Sequence, residues 1–208
     1  MVVGESAPND IDGSRRRRVP AQPERTQPIA AGGSLPRADQ LIFEAATGAR
    51  PLSDEELREV LEHVAQAGFD PNARERARGE LAGIVWRGQV LEGSSMLPPA
   101  ERHYIKHVLL RREWPEGTTL ESYTESIRAV VLDPASGLAT RRYEGRAWQL
   151  TVVRRSGALR GPADHEWVLV DYRVEAGHWM TAYQFSEDLR VELRRKAAEV
   201  RWLRRPQK

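Results

Sequence analysis

The chain has 208 residues, 40% of them hydrophobic and 30% charged, enough for one folded domain with a real apolar core plus some loose sequence. It contains no cysteine, which excludes disulfides, thiolate metal sites and thiol nucleophiles together. No apolar run approaches the roughly eighteen residues that cross a bilayer, and the N-terminus lacks a charged-then-apolar signal segment. The expectation is a chain without a membrane span, either cytoplasmic or delivered as an effector by a non-classical route. The formal net charge is only +2, but residues 189–208 carry eight basic side chains against two acidic ones, a local net of +6. A second basic block runs from Arg15 to Arg18. Clusters of this kind track phosphates by displacing counterions, or simply form a solvated face.

Residues 1–37 are rich in Pro, Gly, Ser and charge and read as a disordered leader. "LSDEELREVLEHVAQAG" then predicts a helix. Ser53 and Glu56 form a capping box, Leu57, Val60, Leu61 and Val64 recur at helical spacing, and Gly68 ends it. "DPNAR" is a turn that feeds a second helix from about Ala73, with Leu81, Ile84, Val85 and Leu91 on one face. "GSSMLPPAE" breaks that pattern and starts a third helix over 98–112, and a fourth begins near Thr119 and stops at "DPASG".

After that the period changes from helix to strand. "RAWQLTVVRR", "EWVLVDYRV" and "HWMTAYQF" are rich in β-branched and aromatic residues, with a weaker strand at 138–144. "EAG" between the last two is short enough for a hairpin. Ser186 is then read as capping a closing helix with Leu189, Leu193, Val200 and Leu203. The expected fold is α+β: N-terminal helices, a three- to four-stranded antiparallel sheet, and a C-terminal helix. Three regions follow: a leader (1–37), a helical ancillary region (38–94) and an α+β domain with a basic C-terminal helix (95–208).

Two polar constellations stand out. On the third helix Ile105, Val108 and Leu109 make the apolar stripe, while His103, Lys106 and His107 sit at i, i+3 and i+4 on another face. Their mutual field should depress the histidine pKa values and favour neutral, base-competent imidazoles. The alternatives are a solvated face, or a metal pair whose third ligand would come from His165, His178 or a carboxylate. The strands carry His178, Thr181 and Tyr183 in "GHWMTAYQF", and Arg154 and Arg155 at the end of "TVVRR". Asp171 and Arg173 lie inside an otherwise apolar strand and read as a surface pair or an open wet face. Trp148, Trp167 and Trp179, one per strand, read as core, or as a base-stacking platform. There is no phosphate-binding glycine loop, G-x-S-x-G elbow or H-E-x-x-H pair.

The "HYIKH" helix, the "EWPEGTTLESYTESIR" helix and the "WQLTVVRRS", "WVLVDYRV" and "GHWMTAYQF" strands resemble, over about 95–186, the toxin-type nuclease (BECR) fold of barnase, EndoU, colicin-type tRNases and RelE. The resemblance implies a metal-independent ribonuclease that needs no cofactor and cleaves RNA by attack of its own 2′-hydroxyl. It implies His103, Lys106 or His107 as the helix contribution, Arg155 on phosphate, and His178, Thr181 and Tyr183 as the late-strand contribution. Arg154, Arg173, Arg194 and Arg195 are the expected substrate contacts. One departure is the lack of a convincing glutamate base like that of barnase. The partners implied are RNA, with tRNA among the candidates, and an immunity protein or delivery machinery. The rival expectation is a non-enzymatic RNA- or protein-binding adaptor using the basic C-terminal helix.

Overall fold

A computed structural model describes residues 35–195 and 197–207. The expected leader and its arginine block therefore lie almost wholly outside the described residues. The described chain mixes helices with antiparallel sheet. Helices α1 (Arg37–Thr47) and α2 (Asp54–Ala67) come first, and α2 starts on the Ser53/Glu56 capping box. Between them Gly48 sits at φ 79°, a left-handed turn that suits glycine.

The helix expected from Ala73 is absent. Short strands β1 (Glu75–Arg76), β2 (Val85–Trp86), β3 (Gln89–Val90) and β4 (Met96–Leu97) take its place, with a 3₁₀ turn at Gly79–Leu81. The reason is local: Gly79, Gly83 and Gly88 have positive φ, and so does Arg87. These turns break a continuous helix while leaving Leu81 and Leu91 buried.

The third helix is α-helical only over α3 (Pro99–Tyr104) and then widens into a π-helical turn, Ile105–Leu110. Helix α4 (Leu120–Leu132) follows, capped by Thr119. Strands β5 (Gly137–Tyr143), β6 (Ala147–Arg155), β7 (Trp167–Arg173) and β8 (His178–Phe185) form successive antiparallel pairs. The closing segment is not one helix. Asp188 caps a six-residue α5 (Leu189–Arg194), and β9 (Ala197–Arg204) then pairs with β5. The sheet order is β8-β7-β6-β5-β9, so β8 and β9 are its edges.

One face of the sheet, through Leu138, Leu150, Val152, Val168, Val170 and Tyr172, shares a core with α1, α2 and α4. Residues on both sides of position 94 meet there. Trp179 Nε1 donates to the Val64 carbonyl at 2.7 Å. The Tyr172 hydroxyl donates to Asp39 at 2.7 Å and lies 3.0 Å from His63 Nε2, tying α1 and α2 to β7. The opposite face is apolar at one end, where Val153, Leu169 and Phe185 pack on Leu193 of α5. At the other end it is polar. Buried Asp171 accepts from Thr151 Oγ1 at 2.6 Å and is paired with Arg141, whose Nε donates to Gln149 at 3.2 Å. Asp171 is thus paired with Arg141 two strands away, not with Arg173 as the sequence suggested.

Candidate functional site

The histidine-bearing turn lies along edge strand β8, and its two histidines meet the sheet rather than water. An exposed sheet edge presents unpaired backbone groups, which must find partners if buried. Here Trp179 N donates to the Gly68 carbonyl at 2.7 Å, and the Tyr123 hydroxyl donates to the Ala182 carbonyl at 2.9 Å. His103 is hydrogen-bonded to the Met180 backbone, and Gln184 N donates to Glu113 Oε2 at 2.8 Å. The edge is sealed by the Gly68 carbonyl after α2 and by side chains from α3, from the loop after the π turn and from α4.

Along this seam four rings stack in a ladder. Phe69 and His103 have centroids 5.1 Å apart, His103 and His107 5.7 Å, and His107 and Tyr183 5.7 Å, with interplanar angles of 15°, 5° and 24°. The π turn, whose signature is the Arg111 N to Lys106 O bond of 3.0 Å, keeps the two imidazoles in register. His103 and His107 are buried at 6% and 3% exposure, while Leu109, expected on the apolar stripe, is exposed. Lys106 parts company with them. It reaches Glu80 at 3.8 Å on the outer side of the turn.

His107 Nδ1 lies 3.0 Å from both carboxylate oxygens of Glu113, itself only 2% exposed. Arg112 at φ 53° reverses the chain and delivers Glu113 beneath the turn, where its N–H donates to the His107 carbonyl at 2.9 Å. Trp114 anchors the next position, donating from Nε1 to Ser126 Oγ at 3.0 Å. Gly161 N donates to the Glu113 carbonyl at 2.9 Å, and the two segments run so close that a Cβ at Gly161 would meet the Trp114 oxygen at 2.2 Å.

Above Glu113 opens a cleft of about 620 Å³, walled by Arg111, His165, Tyr183, Glu192 and Arg195. His165 Nδ1 lies 3.0 Å from Ser186 Oγ. The Tyr183 hydroxyl donates to Glu192, and Arg195 pairs with both Glu187 and Glu192, the latter at 2.9 Å. Arg111 bridges Glu80 at 2.8 Å and stands 4.0 Å from Glu113.

No protein-family model, curated protein or solved structure matches the chain. Its chemistry is therefore read from its own geometry.

Burial pushes the Glu113 carboxyl up to about 7, against a main-chain hydrogen bond from Gln184 and the nearby Arg111 charge, which pull it down. Burial holds His103 and His107 well below the ordinary histidine range, with the neighbouring cationic side chains second. The direction is the one expected from the sequence, but desolvation leads and mutual repulsion follows. The Glu113–His107 dyad thus has a carboxyl that exchanges its proton near neutrality beside an imidazole that stays uncharged. Burial and the nearby Asp171 charge raise the Tyr183 hydroxyl, so it acts as a neutral hydrogen-bond donor.

Of the expected site residues, the structure brings together His103, His107, Thr181 and Tyr183. Thr181 Oγ1 lies 3.5 Å from His103 Nδ1. Arg195 joins them in the cleft wall. His178 stands at the start of β8 beside the hairpin turn, opposite half-buried Arg173. Arg155 is at the far end of β6, over the Trp167 ring at 4.1 Å and paired with Glu166 at 2.6 Å. Arg154 faces the helices and pairs with Asp133 at 3.0 Å. Arg194 lines a separate pocket behind α5. Among the described residues no three His, Cys, Asp or Glu side chains are grouped so as to hold a metal ion; aromatic rings flank the histidine pair instead. Sequence reasoning missed Glu113 and Arg111, and named His165 only as a third ligand for a metal pair. The available signal was a lone acid between Arg112 and a tryptophan in "RREWPEG", a carboxylate that a buried neighbour would draw inward.

Proposed function

We propose that the protein is a metal-independent endoribonuclease of the toxin type, acting at the Glu113 cleft. The observation that carries the reading is a carboxyl held near 7 at the base of a cleft whose walls carry His165 and two arginines, each ion-paired with glutamate: Arg111 with Glu80, and Arg195 with Glu187 and Glu192. Ionised Glu113 accepts the proton of a ribose 2′-hydroxyl as its oxygen attacks the adjacent phosphorus. His165 is the group placed to give a proton to the departing 5′-oxygen as the P–O5′ bond breaks. Arg111 and Arg195 offset the extra negative charge on the phosphoryl oxygens. The products are a 2′,3′-cyclic phosphate and a 5′-hydroxyl. His107 acts behind Glu113 as a positioning residue, holding its carboxylate toward the cleft, and His103 with Thr181 fixes the ring ladder. This assignment supplies the glutamate base that the sequence resemblance lacked, and moves the phosphate contacts from Arg155 to Arg111 and Arg195.

The experiment is cleavage of RNA by purified protein in EDTA, with product ends identified by mass spectrometry. Glu113→Gln should lower the rate about 10²- to 10⁴-fold, the span a positioned general base contributes. A rate unchanged in that variant removes Glu113 from the mechanism.

One observation favours a second reading, a binding module without turnover. The same Glu113, His103 and Tyr123 groups satisfy the backbone of β8, a structural duty that explains their burial without any chemistry. That reading predicts salt-sensitive RNA or protein binding with no product formed.

A further inference from the structure

A second cavity of about 540 Å³ lies between α5 and β9, lined by Arg190, Arg194 and Arg205 around Leu193, Val200 and Trp202. No Asp or Glu is among its lining residues. Elsewhere in the described residues arginines are commonly tied to carboxylates: Arg50 to Glu56, Arg111 to Glu80, Arg141 to Asp171, Arg154 to Asp133, Arg155 to Glu166 and Arg195 to Glu192. Among the described residues no such pair holds Arg190, Arg194 or Arg205. Arg190 and Arg194 are i and i+4 on α5 and so share one face. Arg205, directly after β9, also lines the pocket, and its guanidinium lies over the Trp202 ring, 5.0 Å from the centroid, where an incoming base would displace it or stack beside it. Three converging unpaired cations cost electrostatic energy, which an anion in the pocket would relieve.

The pocket and the candidate active site are both walled by α5 residues. Helix α5 stands between them: Glu192 and Arg195 face the cleft, and Arg190, Leu193 and Arg194 face the second pocket. A strand leaving the cleft over this short helix would meet arginines first and then a half-buried indole. Backbone-tracking arginines combined with an aromatic surface are the means by which proteins hold single-stranded nucleic acid without reading its sequence. We infer that Arg190, Arg194, Arg205 and Trp202 form a distal subsite for single-stranded RNA, in which the arginines hold backbone phosphate and the Trp202 ring stacks a base. The subsite rests on the ribonuclease reading for the path of the strand, but its ligand chemistry stands on the pocket itself.

The test is binding of a labelled, non-cleavable 2′-O-methyl oligouridine to the full chain, followed by fluorescence anisotropy over a salt series. The double variant R190Q/R194Q, with both changes on exposed side chains, should lose affinity about tenfold. Its log–log salt slope should become shallower by about 1.4, the value for two lost single-strand phosphate contacts. Trp202→Leu should weaken binding about tenfold while leaving the salt slope unchanged, because stacking releases no counterions. Thermal melts report whether each variant is folded, and R190Q/R194Q alone suffices if Trp202→Leu is not. Unchanged affinity and slope in R190Q/R194Q overturn the subsite, as does retention of anionic lipid vesicles but not the oligonucleotide. If the variants lose the oligonucleotide while wild type leaves unmodified RNA uncut, the subsite stands and the ribonuclease reading falls.

Discussion

The Glu113 carboxyl titrates at about 7 in the fold against 4.5 for the ordinary side chain, so the native state binds its proton more tightly than the unfolded chain does. The stabilisation from that proton is full below about 4.5 and is lost as pH rises through 7, a penalty of about 3 kcal/mol at pH 8. Glu113→Gln keeps an oxygen for the Gln184 N–H and removes the charge. The variant should melt higher than wild type at pH 8, with the gap closing toward pH 4.5; a gap independent of pH would contradict the assigned ionisation. His103 and His107 act in the opposite sense. Their folded pKa values lie below the unfolded value, so the unfolded chain takes up protons first as pH falls through about 6.5, and stability is lost on acidification. On the far side of β8 the buried Arg141–Asp171 pair carries a different liability. Asp171→Asn leaves Arg141 buried without its counter-charge and should cost about 3–5 kcal/mol in a denaturant melt. A cost under 1 kcal/mol would show that Gln149 and the Leu193 carbonyl suffice for Arg141.

At the scale of elements, the α3–π turn and edge strand β8 act as one unit whose precision depends on the loop beneath it. The closest approach there is Gly161 against the Trp114 and Arg112 carbonyls. Gly161→Ala must push that loop outward, and Glu113 moves with it. The expected result is a fall in kcat with a smaller change in KM, since a carboxylate displaced by about 1 Å forfeits proton transfer before it forfeits binding. Equal kcat in Gly161→Ala and wild type would mean that the loop does not set the position of Glu113. The elements themselves were unequally legible. The Ser53/Glu56 box and its apolar spacing mark α2, and the β-branched runs mark β6, β7 and β8, because local pattern and tertiary demand agree there. Val200 and Leu203 continue the helical spacing of Leu189 and Leu193, yet residues 197–204 pair with β5, where an open sheet edge outweighs local pattern. The stretch after Ala73 shows helical spacing of Leu81, Ile84 and Leu91, but its glycines take positive φ and fold it into short ladders.

At the scale of the whole molecule, the candidate site forms where a helical turn closes the edge of a sheet. That juxtaposition explains which parts of it could be read in advance. His103 and His107 were visible as an i, i+4 pair, and Thr181 and Tyr183 as one side of a strand, because both periods are local. Their burial was not visible, since a polar face packed on a sheet edge has the same sequence pattern as a polar face in water. Glu113 was hidden for a second reason: it owes its position to a left-handed residue and a glycine almost fifty positions away, contacts that no local window contains. The arrangement leaves two roles for the same groups, sealing β8 and performing proton transfer, and only turnover separates them. The most direct measurement is cleavage of RNA in EDTA by wild type and by a folded Glu113→Gln variant, with the product ends identified. Wild type should give 2′,3′-cyclic phosphate ends, and the variant a rate at least about a hundredfold lower. Absence of cleavage by wild type, or equal rates from the two proteins, would contradict this mechanism.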